Sequence, residues 1–63
     1  MDFSEKVKTV REQLHISQEK LAVMLDVSFA TVNRWEKGRA MPSYNAQIKF
    51  NALCKENGIK FEE

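Results

Sequence analysis

Apolar residues in this chain recur at the three- and four-residue spacing of α-helices, in four separate segments. Each such stripe puts its members on one face of a helix, where a neighbouring helix can bury them. No segment alternates apolar and polar residues convincingly over the length of a strand. The stripes consist of Phe3, Val7, Val10 and Leu14, then Leu21, Ala22 and Leu25, then Val32 and Trp35, and finally Ala46, Phe50, Leu53 and Cys54. The pattern predicts an all-α fold, a compact bundle of four short helices in which no fifth helix is seen.

Capping residues precede the four stripes and mark where each helix begins. The side-chain oxygen of an N-cap residue accepts a hydrogen bond from a free N–H of the first turn. The predicted caps are Asp2, Ser17, Ser28 and Ser43. Gly38 and the pair Asn57–Gly58 end the third and fourth helices, because glycine enters the left-handed conformation without a Cβ clash. The predicted helices cover about 3–14, 18–25, 28–37 and 44–56. Ile16 and Ile59, outside these helices, are expected to pack onto the core.

The length and composition of the chain limit its stability and its chemistry. The 63 residues make one small domain, 1–63, which buries only roughly 60% of its unfolded surface. A single cysteine, Cys54, excludes an internal disulfide, and no Cys/His cluster has the spacing of metal ligands, so no metal or other cofactor is predicted. No run approaches the ~18 apolar residues of a membrane span, and no signal segment opens the chain. We expect a cytoplasmic protein without a membrane partner.

Basic side chains are concentrated in one part of the chain, although the formal net charge of the whole is only +1. Residues 28–55 have a net charge of +4, whereas residues 1–27 have −1 and residues 56–63 have −2. The basic residues of that segment are Arg34, Lys37, Arg39, Lys49 and Lys55. Such asymmetry is typical of a surface that binds a polyanion, and a merely solvated basic face is the alternative.

The second and third predicted helices form a unit of their own. Only Asp26 and Val27 separate Leu25 from Ser28, which is too short a link for two antiparallel helices with long contacts. It favours the steep crossing, at roughly 90–120°, of a helix-turn-helix over about residues 17–38. Ala22 is then expected to be small because the two helices approach closely there.

The segment "SQEKLAVMLDVSFATVNRWEKG" resembles the helix-turn-helix of the Cro/repressor-like (XRE) transcriptional regulators, whose fold is that of lambda repressor. The matching positions are Gln18, Leu21, Ala22, Leu25, Val27, Ser28, Val32 and the residues "RWEKG" at 34–38. "GRAMPS" at 38–43 resembles the basic loop of the family, and the resemblance covers roughly residues 3–56. Asp26 stands where members usually have glycine, and the fifth helix that often builds their dimer is not seen. The resemblance implies a protein that binds double-stranded DNA. Because so small a domain buries little surface on DNA, binding is expected to need two copies, from a homodimer or from additional domains of a longer chain.

The resemblance also implies roles for individual residues, since the third helix of such a unit enters the major groove. Ser28 and Thr31 would donate a hydrogen bond to a phosphate or a base, and Phe29 and Ala30 would contact a thymine methyl group. Arg34 would form a bidentate pair with guanine. Asn33 would read adenine or bond a phosphate. The expected phosphate contacts are Ser17, Gln18, Lys37 and Arg39. Arg11 and Glu36 would form a partly buried pair that braces the first helix against the third. Trp35 is expected in the core, and packing onto the second helix is the alternative for Phe29.

Three other classes of function are weighed against this one. A protein partner, as in antitoxins or controller proteins, would be favoured by exposure of Val23, Met24 and Ile48. An enzyme would depend on His15 with Glu19, and Cys54 is interpreted as a small core residue. RNA recognition would depend on exposed aromatic rings such as Phe29. The sequence predicts a non-enzymatic, sequence-specific DNA-binding transcriptional regulator, repressor-like, that reads DNA with helix 28–37.

Overall fold

Four α-helices account for the regular structure of the chain, and they lie where the apolar stripes predict them. The computed structural model describes residues 1–61; the predicted tail residues Glu62 and Glu63 lie outside the described residues. The helices are α1 (Phe3–Leu14), α2 (Gln18–Leu25), α3 (Phe29–Glu36) and α4 (Tyr44–Glu56). Residues 1–61 contain no strand. The predicted all-α fold is confirmed.

Each helix begins at the predicted cap, whose side chain accepts a hydrogen bond from the backbone N–H three residues later. The caps of α1 to α4 are Asp2, Ser17, Ser28 and Ser43. Their N–H···O distances lie between 3.0 and 3.2 Å. These bonds satisfy donors that have no partner inside the helix, and therefore define the first residue of each element.

A residue with positive φ ends or directly follows the C-cap of each of the four helices; after α4 it is Gly58, at φ 63°. Asp26 adopts the left-handed conformation after α2, as the short link requires of a residue that replaces glycine. His15 does the same after α1, which the sequence analysis did not predict. The third helix is shorter than predicted: Ser28 and Lys37 are its caps, so α3 itself spans Phe29–Glu36 and Gly38, at φ 71°, turns the chain away.

The core lies where α3 meets α1 and α2, and α4 closes it by packing against α2. Trp35 is only 2% exposed, and the ring of Phe3 lies edge-on to it with centroids 5.4 Å apart. Phe50 brings α4 to the same cluster, with its ring centroid 5.0 Å from that of Phe3. The buried apolar residues are Val7, Val10, Leu21, Ala22, Leu25, Val32, Trp35, Ala46 and Phe50. The inner face of α3 is therefore covered by α1 and α2, and α4 completes the core through Phe50.

The segment after α4 folds back onto the bundle. Ile59 packs against the core as expected, and Phe61, for which no such contact was predicted, does the same. The Nε2 of Gln13 donates to the carbonyl of Lys60 at 2.9 Å, and the ammonium of Lys6 lies 5.4 Å from the Phe61 ring centroid.

Among residues 1–61 no helix has the length and apolar character needed to span a bilayer.

Candidate nucleic-acid interface

The outward face of α3 carries the residues predicted to contact bases. Phe29 is 50% exposed, so half of its surface is open to a ligand. Ala30 and Arg34 are exposed as well, whereas Thr31 and Asn33 are half-buried. Val32 and Trp35 on the same helix are fully buried. The helix thus separates a core face from a face that is open to a ligand.

Ser28 and Thr31 form a hydroxyl pair at the start of α3. Their side-chain oxygens are 2.8 Å apart, and Ser28 Oγ also accepts the backbone N–H of Thr31 at 3.1 Å. One hydroxyl proton is used between the two oxygens, so the other stays available to an outside acceptor. The pair therefore offers a single hydroxyl donor at the leading end of the helix.

Arg11 and Glu36 pair across the interface of α1 and α3. Arg11 Nε and Nη2 donate to the two carboxylate oxygens of Glu36, the second at 2.9 Å. Arg11 Nη1 also donates to the carbonyl of Ile16 at 3.3 Å. Glu36 is 7% exposed and Arg11 27%. This bidentate ion pair links α1 to the C-terminal end of α3.

The environment of Glu36 keeps its carboxylate charged. Burial alone would raise its pKa, but hydrogen bonds from Arg11 and Gln18, together with the charge of Arg11, hold the pKa below its ordinary value. The same hydrogen bond from Arg11 to Glu36 raises the pKa of the guanidinium. The pair is therefore ionised at neutral pH.

The side chain of Gln18 lies between Glu36 and Asn33, a connection that the sequence analysis did not predict. Gln18 Nε2 donates to Glu36 Oε1 at 3.1 Å, and Gln18 Oε1 accepts from Asn33 Nδ2 at 3.2 Å. Gln18 is half-buried at the first position of α2. A predicted phosphate contact and a predicted base contact are thus hydrogen-bonded to each other.

Three cations surround the end of α3. Arg34, Lys37 and Arg39 are exposed, and within residues 1–61 their side chains form no ion pair or hydrogen bond. Lys49 differs, because its ammonium lies 3.6 Å from a carboxylate oxygen of Asp26. Three exposed cations without an ion pair therefore lie on α3 and the loop that follows it.

A family model described as helix-turn-helix matches residues 7–46, which include most of α1, all of α2 and α3, and the start of α4. The chain belongs to the Cro/repressor-like helix-turn-helix family of transcriptional regulators. In this helix-turn-helix domain the matched region contains the exposed face of α3, the Arg11–Glu36 pair and the free cations.

A similar curated protein is the HTH-type transcriptional activator BcrR of Enterococcus faecalis, 37% identical over 43 residues. The alignment covers 68% of this chain but 21% of that protein, so the helix-turn-helix domain corresponds to about a fifth of its length. No solved structure matches the chain significantly.

The other candidate chemistries receive little support from the helix-turn-helix domain. Within residues 1–61 no group of three or more His, Cys, Asp or Glu side chains is placed to hold a metal ion. His15 is exposed and ends α1. Cys54 packs partly against the core, and burial raises the pKa of its thiol. That thiol is therefore not an activated nucleophile.

Proposed function

We propose that this domain binds double-stranded DNA in a sequence-specific way, with α3 in the major groove, and so regulates transcription. The observation that carries the proposal is the exposed face of α3, where Phe29, Ala30 and Arg34 are open to a ligand beside unpaired cations. In a helix-turn-helix the N-terminal part of the second helix meets the base edges.

The proposed base contacts follow from what each side chain offers. Phe29 and Ala30 are apolar and suit a thymine methyl, and Arg34 presents the two parallel donors that match guanine O6 and N7. Ser28 and Thr31 supply one hydroxyl donor between them. Asn33 is proposed to read a base as well.

The proposed phosphate contacts lie at the start of α2 and after the end of α3. Ser17 and Gln18 stand at the N-terminus of α2, where free backbone N–H groups favour an anion. Lys37 and Arg39 follow α3 and are exposed. Phosphate contacts of this kind position a protein on the duplex without reading its sequence.

We further propose that binding represses transcription by covering the DNA that the domain occupies. Two copies, from a homodimer or from a longer chain, would sit on half-sites about one helical turn apart, roughly 34 Å. The similar protein from Enterococcus faecalis is called an activator, so the direction of regulation is to be tested and not assumed.

Selection from a pool of random duplexes at about 0.1 M salt tests the proposal directly. An enriched inverted repeat would support specific binding by a symmetric pair, and an enriched single half-site would support a monomeric reader. Retention of all sequences alike, abolished by salt, would contradict sequence-specific binding. The effect of the selected site on a reporter promoter then distinguishes repression from activation.

Arg34→Ala is expected to weaken binding to the selected site by ~1–3 kcal/mol and to relax preference at one base pair, because a bidentate guanine contact is lost. Titration of matched duplexes that differ at single base pairs measures this. Lys55→Ala, which removes an exposed cation outside the helix-turn-helix, is the control and should keep the base preference. An equal loss of affinity for every duplex would show that Arg34 contacts only the DNA backbone.

Lys37→Ala is expected to weaken binding to all duplexes alike and to make the salt dependence shallower by about one unit of slope, since one fewer counterion is released. Affinity measured over a range of salt concentrations gives this slope. Lys55→Ala again serves as the control. An unchanged slope would remove Lys37 from the proposed phosphate contacts.

A protein partner is the second candidate, as in antitoxin or controller proteins. Three apolar side chains on α2 and α4, Val23, Met24 and Ile48, are 75%, 40% and 50% exposed, and are therefore available to contact a protein partner. Retention of all duplexes alike in the selection experiment would favour a protein partner over specific DNA binding.

A further inference from the structure

A continuous series of side-chain hydrogen bonds runs from α1 to the outer part of α3. It begins at Arg11, passes through Glu36 and Gln18, and ends at Asn33. Its members come from three helices, so the series exists only in the folded bundle.

The direction of every bond in this series is determined by its first member. A guanidinium only donates, so Glu36 faces it as a carboxylate, which only accepts. Gln18 must then turn its NH₂ group toward Glu36, and its carbonyl oxygen is left to face Asn33. Asn33 must in turn offer its own NH₂ group to that oxygen. Reversal of either amide would set two acceptors against each other.

The carbonyl oxygen of Asn33 is the free end of the series. Asn33 Nδ2 is held by Gln18, and within residues 1–61 no donor bonds to Asn33 Oδ1. The side chain is half-buried and lies on α3 one turn after Phe29, which is half-exposed. An asparagine in this setting presents an acceptor whose orientation is already determined before any ligand arrives.

We propose that Gln18 is a positioning residue that holds the carbonyl oxygen of Asn33 toward the DNA, so that Asn33 selects a base with an exocyclic amino group, adenine or cytosine. This inference rests on the proposed function, in which α3 occupies the major groove. Adenine N6 and cytosine N4 donate in that groove, whereas guanine O6 and thymine O4 accept and would oppose the Asn33 oxygen.

Duplex selection followed by titration tests the inference with the wild type, Asn33→Ala and Gln18→Ala. We expect the wild type to prefer one base pair at one position by about tenfold, and to lose this preference when the adenine or cytosine of that pair is replaced by an analogue without the exocyclic amino group. Asn33→Ala should lose that preference at that position alone. Gln18→Ala should weaken it at the same position although Asn33 is still present, because the asparagine amide is then free to rotate.

Gln47→Ala is the matched control, since Gln47 also donates from Nε2 to an asparagine, Asn51, at 2.9 Å, but on α4. It should leave the base preferences unchanged. In the free protein, the side-chain amide signals of Asn33 in ¹⁵N-resolved NMR spectra should shift in Gln18→Ala and stay in place in Gln47→Ala. If Gln18→Ala does not fold, Gln18→Met keeps the apolar stem and removes the same hydrogen bonds.

The possible outcomes separate this inference from the proposed function. An enriched site with no position sensitive to Asn33, or a sensitive position at which loss of the exocyclic amino group has no effect, overturns the inference and leaves sequence-specific binding intact. If Gln18→Ala weakens binding to all duplexes equally and the base preferences are kept, Gln18 only contacts phosphate or stabilises the fold, and the inference is overturned. The absence of any enriched site overturns the proposed function together with the inference.

Discussion

Trp35→Ala is expected to unfold the domain at 25 °C. The indole is 2% exposed and lies in the core where α3 meets α1, in edge contact with Phe3. Truncation of a buried aromatic residue to alanine costs about 3–5 kcal/mol, through lost burial and the cavity left behind. The core of a domain below about 70 residues rarely supplies more than 3–5 kcal/mol in total. Loss of the helical far-UV circular dichroism signal would show the expected result.

Tyr44→Ala is the matched control for this substitution, because it removes an aromatic ring that is 80% exposed. Its free energy of unfolding should change by no more than about 0.5 kcal/mol. Trp35→Phe keeps a ring in the core and should remain folded with reduced stability, so that urea unfolding gives a value for the loss. A cooperative thermal transition of Trp35→Ala near that of the wild type would contradict the central role of Trp35.

Arg11→Met is expected to lower the free energy of unfolding by about 3 kcal/mol at pH 7. The substitution leaves the Glu36 carboxylate, only 7% exposed, without its cation, and uncompensated buried charges cost about 3–5 kcal/mol. We expect the lower end of that range because Arg11 is 27% exposed and water reaches part of the site. Glu36→Gln should cost less, about 1–2 kcal/mol, since it leaves a more accessible cation and an amide that still accepts. Urea unfolding measures both losses.

The loss in Arg11→Met is also expected to depend on pH. In the wild type the pKa of Glu36 is lowered, so its stabilising contribution is present above the unfolded pKa of about 4.3 and disappears as the pH falls through the lower folded value. Without Arg11, burial acts against the charge and the pKa of Glu36 should rise above the unfolded value. The variant then gains stability relative to the wild type between pH 7 and about pH 4.5, and a deficit independent of pH would contradict this account.

Two further variants test whether burial is the cause. Replacing both partners, in Arg11→Met/Glu36→Met, should restore part of the stability lost in Arg11→Met, because no charge is left buried. Lys49→Met breaks the surface pair with Asp26, whose side chains are 48% and 92% exposed, and should change stability by less than about 0.5 kcal/mol. A similar loss at both pairs would show that burial does not govern the effect.

Much of the fold is predictable from local features of the sequence. The four N-caps act within three residues of themselves, and the apolar stripes need only the helical period to identify core residues such as Val7, Leu21 and Trp35. Asp26, which stands where members of the family usually have glycine, adopts the left-handed conformation that glycine favours. Lys37 was placed inside the third helix but is its C-cap, because the chain begins to turn one residue before Gly38.

Parts of the candidate site were also predictable, because exposure on a helix follows from the same period. Phe29 and Arg34 fall outside the Val32–Trp35 stripe and are exposed. The pairing of Arg11 with Glu36 was implied by the family resemblance, and the two residues are 25 positions apart in the sequence. The DNA contacts themselves stay predictions.

The sequence by itself therefore determined where the helices begin, which face of each is buried and which side chains of α3 are open to a ligand. Only the tertiary structure decided that Gln18 lies between Glu36 and Asn33, and that Phe61 returns to the core. The physical reason is the distance along the sequence over which each interaction acts. Caps and stripes depend on backbone geometry within a few residues, whereas these contacts depend on how closely separate elements approach, and the packing of the whole core sets that distance.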